Sequence, residues 1–207
     1  MILEVFSQGL LIGIALAAPV GPIGVLCIRT TLLKGPLSGF VTGLGAATAD
    51  AMYGVVAAFG LTMVSNFLIE AQTALSLIGG VFLILLGLRA WRTQTGEIKT
   101  LDQAKSLNLM SGYVTTVGLT LANPATIFTF LAIFAGLGMA NEGRSQVEAS
   151  VLVLGVFLGS AIWWLFLAGL TSRLRSRLNQ KGMRWINRLS AILLSGFGVF
   201  ILTDMLR

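Results

Sequence analysis

Apolar residues run along this chain in six long segments, which alternate with short polar or charged stretches. The segments are Val5–Ile28, Phe40–Met63, Thr73–Leu88, Tyr113–Leu137, Ala149–Leu170 and Ile186–Met205. Most come close to the ~20 residues with which an α-helix crosses ~30 Å of hydrocarbon. The pattern predicts an all-α, polytopic membrane protein with six transmembrane helices. Because the polar stretches are too short to fold alone, we expect a single transmembrane domain over residues 1–207.

The composition supports this prediction and removes several classes of function. Hydrophobic residues make up 56% and charged residues only 11% of the chain, whereas soluble domains carry about 25% charged residues. The chain has no histidine and one cysteine, Cys27, which excludes an imidazole metal site, an internal disulfide and a serine triad. Phosphate-loop, dinucleotide and HExxH motifs are absent as well. We therefore expect no enzyme, no cofactor and no resident metal ion.

The basic residues are distributed unevenly between the polar stretches. Twelve of the 14 Lys and Arg residues follow the first, third and fifth segments. The positive-inside rule places these stretches in the cytoplasm, and both termini then lie on the opposite face. The net charge of +6 is explained by loops that face anionic lipid, so we expect no nucleic-acid partner.

The first segment contains two helix breakers close to its middle. The stretch "LAAPVGPIGV", residues 16–25, holds Pro19, Gly21 and Pro22. Proline removes a backbone donor from the helix, and lipid offers no water to replace the lost hydrogen bond. We interpret the stretch as a broken helix whose free backbone groups bind a ligand. A proline kink that only shapes packing is the alternative.

The two halves of the chain show weak similarity to each other. "IALAAP" at 14–19 resembles "LTLANP" at 119–124, and "GLGAATA" at 43–49 resembles "GVFLGSA" at 155–161. Each half has three predicted helices, so the halves, about 1–105 and 106–207, have opposite orientations in the membrane. Inverted repeats with Gly- or Pro-interrupted helices at matching positions indicate a transporter binding site. Exposed helix ends bind ions or a zwitterion at mid-membrane depth.

Asp50 is the one charged residue deep within a predicted segment. A charge there costs ~2.5–3.5 kcal/mol on insertion scales, so it indicates function. Burial disfavours the charged form of a carboxyl group, which allows Asp50 to carry a proton or to pair with an ammonium group. Tyr53 lies three residues further on, near the same helix face. The alternative is that Asp50 only binds the backbone freed by the broken first helix.

The fourth segment and the glycines add further candidates. Asn123 precedes Pro124, and its amide suits either a polar substrate or the backbone that Pro124 opens; Thr126 lies nearby. Glycines recur at four-residue spacing, which indicates close helix contacts within one chain or between two copies in a homodimer. They are Gly9/Gly13, Gly35/Gly39/Gly43 and Gly155/Gly159. Trp163 and Trp164 lie toward the middle of the fifth segment, where packing or a cavity lining is expected.

Three motifs carry a resemblance to a known family. They are "APVGP" at 18–22, "GLGAATADAMYG" at 43–54 and "NPAT" at 123–126. With these motifs the chain resembles the LysE/RhtB family of amino-acid exporters over essentially its whole length. The resemblance implies a bacterial inner-membrane secondary carrier driven by an ion gradient. Together with the distribution of basic residues, this location places both termini in the periplasm. It places the functional core at Pro19, Gly21, Pro22, Asp50, Asn123 and Pro124.

The chain departs from the family pattern at two points. It reads Pro-Val-Gly-Pro where the family commonly shows Pro-Gly-Pro, and Asn-Pro-Ala where many members have Asn-Pro-Lys. The missing lysine removes a positive charge near the expected site. The resemblance therefore indicates the family more strongly than the substrate.

We predict a proton-coupled exporter, an antiporter of amino acids or related small zwitterions. The predicted substrate and ion site contains Pro19, Gly21, Pro22, Asp50, Tyr53, Asn123, Pro124 and Thr126. The expected partners are the small-molecule substrate, a proton or other coupling ion, and the lipid bilayer. The alternatives are an exporter of another small solute or of a metal cation, and a membrane scaffold that transports nothing.

Overall fold

The fold is known from a computed structural model, which describes residues 2–19, 21–59, 70–92, 109–123, 126, 129–130, 145–175 and 180–204. Within these residues the chain forms seven α-helices and no strand. The helices are α1 (Ile2–Ala17), α2 (Pro22–Lys34), α3 (Pro36–Ala58), α4 (Gln72–Arg92), α5 (Leu109–Leu121), α6 (Gln146–Arg175) and α7 (Gln180–Asp204).

The long helices suit a multi-pass membrane protein. Among the described residues, four helices are long and apolar enough to cross a membrane: α3, α4, α6 and α7. The bent pair α1 and α2 passes the same test when taken together, and α5 is a shorter apolar helix. The part of the fourth predicted segment beyond Asn123 lies mostly outside the described residues.

Helix ends differ from the predicted segment ends. Helix α6 extends past both ends of Ala149–Leu170, and α4 continues to Arg92 instead of ending at Leu88. Helix α7 begins at Gln180, six positions before the predicted start. Hydropathy marks where the chain enters hydrocarbon, but a helix continues into the headgroup region, where Arg side chains reach water.

The first predicted segment is broken where its two prolines lie. Helix α1 ends at Ala17, α2 begins at Pro22, and the two helix axes make an angle of 80°. Pro22 occupies the first turn of α2, where a missing N–H costs no intrahelical bond and the fixed φ favours the helix. The sequence "APVGP" therefore ends one helix and starts the next.

Glycines bring α1 and α6 into backbone contact. A Cβ atom on Gly13 would overlap the carbonyl oxygen of Val156, and one on Gly159 would overlap that of Leu10. Gly9 and Gly155 face each other along the same contact. Residues later in α1 contact residues later in α6, so the two helices run parallel. These predicted small-residue contacts thus lie within one chain.

Two further glycine contacts organise the other helices. On α3, a Cβ on Gly45 would overlap the carbonyl oxygen of Tyr113 in α5. Helices α4 and α7 pack antiparallel, with Gly87 against Ala191 and Ser195. The closest packing therefore joins α1, α3, α5 and α6 in one group and α4 with α7 in another. Helix α2 lies between the groups and contacts α3, α6 and α7.

Cys27 of α2 is fully buried, in a cluster with Ala46 and Ala47 of α3 and Trp164 of α6. Its thiol donates a hydrogen bond to the carbonyl oxygen of Gly39, over 3.4 Å. Between the two helices Gly35 has φ 100°, a conformation that favours glycine because it lacks a Cβ. This tight turn holds α2 against α3.

Candidate functional site

A cavity of about 800 Å³ lies where the broken first segment faces the rest of the bundle. The break contributes the residues around Pro19 and Pro22, and α3 contributes Asp50. Thr73 at the start of α4 and Asp204 at the end of α7 line it as well. The cavity therefore extends from the interior toward the end of the bundle at which α4 begins and α7 ends.

The cavity brings together six of the eight predicted site residues. They are Pro19, Gly21, Pro22, Asp50, Asn123 and Thr126. Tyr53 is not among the described lining residues, and Pro124 lies outside the part of the chain that the structure describes. Residues that are far apart in sequence, from both halves of the chain, thus line the same cavity.

Asp50 is buried, with 4% of its surface exposed, and it is bound by a side chain of α6. The hydroxyl of Ser160 donates a hydrogen bond to Oδ2 of Asp50 over 2.7 Å. Nε1 of Trp164 donates to the Ser160 hydroxyl oxygen over 3.1 Å. Trp164 also lines the cavity, so the indole acts in both packing and hydrogen bonding. A buried carboxyl with a fixed partner can exchange a proton or bind an amine.

Tyr53 has a different partner from Asp50. Its hydroxyl donates a hydrogen bond to the carbonyl oxygen of Leu121 over 2.7 Å, and its ring lies 5.3 Å from that of Phe130 between centroids. Leu121 ends α5, where carbonyl groups lose their helical partners. Tyr53 thus binds backbone at the end of α5, in the second half of the chain, and not at the break between α1 and α2.

The start of α2 offers backbone donors to the cavity. Gly21, the residue before the helix, gives no side-chain cap, and both Gly21 and Ile23 line the cavity. The first N–H groups of any α-helix have no intrahelical acceptor and carry a partial positive charge. Ile23, which carries one of these N–H groups, therefore lines the same cavity as Asp50.

Sequence reasoning missed several polar lining residues. Thr120 is 4% exposed, and its hydroxyl oxygen has no hydrogen-bond partner among the residues that the structure describes. Ser76, Thr73 and Asp204 also line the cavity. Ser160 was equally unforeseen, although a hydroxyl one helical turn before a mid-membrane tryptophan is a usable signal. The remaining wall is apolar and includes Phe197, Phe200 and Ile201 of α7.

The lining has a definite chemical character. Its charged members within the described residues are two carboxyl groups, Asp50 and Asp204. Threonine and serine hydroxyls and the α2 amides supply neutral hydrogen-bonding groups beside the aromatic wall. In the same part of the chain, no group of three His, Cys, Asp or Glu residues could hold a metal ion. The arrangement can bind a small molecule with an amine, an anionic end and an apolar portion.

Comparison with known sequences gives a consistent family. The sequence model described as "LysE type translocator" matches residues 14–205. "Putative amino acid efflux protein YcgF" of Bacillus subtilis (strain 168) is 25% identical over 201 residues, 96% of this chain and 95% of that protein. "Uncharacterized membrane protein YahN" of Escherichia coli (strain K12) is 29% identical over 143 residues, 68% of this chain and 63% of that protein. No solved structure matches the chain significantly.

Proposed function

Because the chain belongs to the LysE type translocator family, we propose that it is a secondary active transporter that exports amino acids or related small zwitterions. The substrate class goes beyond membership of the translocator family. It draws on the similarity to a protein named for amino acid efflux. We also propose proton coupling in the form of antiport.

One observation carries the proposal: the cavity joins the α1–α2 break, Asp50 and Asn123. The break offers amide donors for the carboxylate of a zwitterion, and Asp50 offers a partner for its ammonium group. Helix N-termini bind carboxylates in this way in transporters with interrupted helices. The apolar wall around Phe197 accommodates the side chain of the substrate.

We further propose six spans arranged as two inverted repeats in one transmembrane domain, with α5 as the beginning of the fourth span. The helix contacts support this scheme. In this scheme α1 corresponds to α5, α3 to α6 and α4 to α7. When each helix is replaced by its counterpart, the α1–α6 contact becomes the α5–α3 contact, and the α3–α6 and α4–α7 contacts are unchanged. Both exchanged pairs run parallel in the structure, as the scheme requires.

The orientation follows from the same scheme and the positive-inside rule. We place both termini in the periplasm and the protein in the bacterial inner membrane. The cavity, which extends toward the start of α4 and the end of α7, then faces the periplasm. In this state the site is open to the side on which an exporter releases its substrate.

The test is gradient-driven efflux from proteoliposomes loaded with labelled amino acids. We expect wild-type protein to export at least one of them under an imposed proton gradient. Asp50→Asn should abolish gradient-driven efflux, because the amide cannot exchange a proton. Glu148→Gln is the matched control, since Glu148 caps α6 through Ser145 at the surface and glutamine preserves that cap.

Two outcomes would contradict the proposal. Full gradient-driven efflux by Asp50→Asn would remove the proton role. Absence of flux for a broad panel of amino acids and dipeptides would remove the exporter and favour a scaffold. A growth screen on the same panel, with and without the protein, chooses the substrates to load.

A further inference from the structure

We propose that Ser160 and Trp164 are positioning residues that hold the Asp50 carboxyl group with Oδ2 engaged, so that Oδ1 is the oxygen that meets the proton or the substrate amine. The inference rests on the proposed function, in which Asp50 exchanges a proton. It concerns two residues of α6 that lie 110 and 114 positions from Asp50 in sequence.

The hydrogen-bond chain has a single direction while Asp50 is ionised. An indole N–H can donate but cannot accept, and a carboxylate can accept but cannot donate. Trp164 therefore donates to the Ser160 oxygen, and the Ser160 hydroxyl donates to Asp50. In the ionised state Oδ2 of Asp50 is thus already engaged as an acceptor. A proton that binds to Asp50 while this chain is intact is assigned to Oδ1.

The chain is held in place by the packing around it. Ser160 is fully buried and Trp164 is 3% exposed. Gly43 of α3 lies against the indole, where a Cβ would overlap the ring carbons of Trp164. Gly13 of α1 brings the backbone of Ser160 close on the other side. This packing restrains both residues on the sides that face α1 and α3, and it therefore helps to orient the carboxyl group before the substrate arrives.

Each removal should have the same effect on Asp50. Ser160→Ala deletes the donor directly. Trp164→Phe deletes the group that directs it, and the Ser160 hydroxyl can then bond the carbonyl oxygen four residues earlier, at Val156, as helical serines commonly do. In both variants Asp50 loses a donor that stabilises its ionised form. The protonated form is then favoured at a higher pH.

Few other titratable groups on the neighbouring helices could change the pH at which Asp50 is protonated. Among titratable and charged groups, its own helix carries Tyr53, α5 carries Tyr113, and α2 carries Cys27, Arg29 and Lys34, none of which is a carboxyl or imidazole group. Helices α1 and α6 carry their charged residues near their ends, and α7 places Asp204 at the far end of the cavity. Asp204→Asn therefore reports the contribution of the second carboxyl group.

The experiment measures efflux against pH, from about pH 5 to 8, for Ser160→Ala, Trp164→Phe and the double variant. We expect each single change to shift the profile by about one pH unit toward higher pH, as the loss of a hydrogen bond to a charged group implies. The double variant should show no larger shift, because both changes break one chain. KM and maximal rate are measured at the same pH values.

Trp163→Phe is the matched control. Trp163 neighbours Trp164 on α6, but its ring packs near Phe166, 5.7 Å between centroids, and it is absent from the described cavity lining. It should keep the wild-type profile. If Trp164→Phe does not accumulate in the membrane, the profile of Ser160→Ala alone decides.

An unshifted profile for Ser160→Ala would overturn the inference, as would additive shifts in the double variant. These results are distinct from failure of the proposed function. That failure appears as full gradient-driven efflux by Asp50→Asn, whereas the positioning inference fails when Asp50→Asn is inactive and the α6 variants titrate like wild type.

Discussion

The two helix breaks of this protein share a sequence device but differ in how their backbone groups are satisfied. Helix α1 ends at Ala17 within "IALAAP", and α5 ends at Leu121 within "LTLANP". At the second break, Tyr53 donates to Leu121 and the N–H of Asn123 bonds the carbonyl oxygen of Thr120. At the first break, the N–H of Gly21 bonds Pro19, and no side chain caps α2 within the described residues.

The difference shows how a break can be either structural or available for binding. A side chain from α3 binds the carbonyl oxygen of Leu121, so the end of α5 is tied to α3 although Asn123 still lines the cavity. The first break turns the chain by 80° and leaves the start of α2 toward the cavity. At 18–22 the two prolines therefore separate two helices, whereas the end of α5 is held by Tyr53. Four substitutions test whether the two breaks differ in this way.

The largest effect is expected from Pro19→Ala combined with Pro22→Ala. Alanine restores the missing N–H groups and allows α1 to continue into α2, which would remove the donors from the cavity. We expect transport in proteoliposomes to fall at least about tenfold, or ~1.4 kcal/mol. Pro36→Ala, at the start of α3 and outside the cavity lining, is the control. Unchanged transport would reduce the first break to a kink.

Gly21→Ser should have the next largest effect. A serine at this position can cap the first N–H groups of α2, a bond worth about 1 kcal/mol. The substrate must then compete with that cap, so KM should rise about fivefold while the protein becomes no less stable. A rise in KM without a loss of maximal rate is the informative result; an unchanged KM would show that the α2 amides do not bind substrate.

Tyr53→Phe should mainly lower stability. It leaves the carbonyl oxygen of Leu121 without its donor, at a cost of about 1–2 kcal/mol, and we expect an earlier unfolding transition in detergent. Transport should change less than in Gly21→Ser. Tyr113→Phe, which loses a 2.9 Å bond between α5 and Thr48 of α3, tests whether any tyrosine between these helices matters equally. A raised KM with normal stability in Tyr53→Phe would show a binding role instead.

The smallest effect is expected from Gly21→Ala. Within the described part of the chain, a Cβ at Gly21 meets no atom within 4 Å, and φ is −99°, which alanine adopts without strain. Transport should stay within about twofold of wild type, since alanine cannot cap the helix. A large loss would mean that the space beside Gly21, rather than its amide neighbours, is used by the substrate.

The sequence predicts the break and the buried charge well because each depends on local chemistry. Proline lacks an N–H at every position, and a carboxyl group in an apolar segment is costly enough to indicate function. Tyr53 illustrates the limit. Three residues rotate a helix by about 300°, so its side chain points about 60° away from that of Asp50, and this offset directs it to α5 instead of the cavity.

Other site residues depend on how the helices meet. Ser160 and Asp204 become lining or partner residues only because α6 packs on α3 and α7 closes the far wall. Helix rotation and pairing are not encoded in any short stretch. The glycine spacing at 9/13 and 155/159 predicts close contact, but it does not say which helix supplies the partner.

The single thiol of Cys27 gives the protein a built-in reporter of motion. It lies in the cluster between α2, α3 and α6, fully buried and hydrogen-bonded to the carbonyl oxygen of Gly39, so a maleimide reagent reaches it only when these helices separate. Transport motions fall into two classes by this criterion. Those that move the three helices together leave the thiol unlabelled during turnover, while those that part them make labelling depend on substrate.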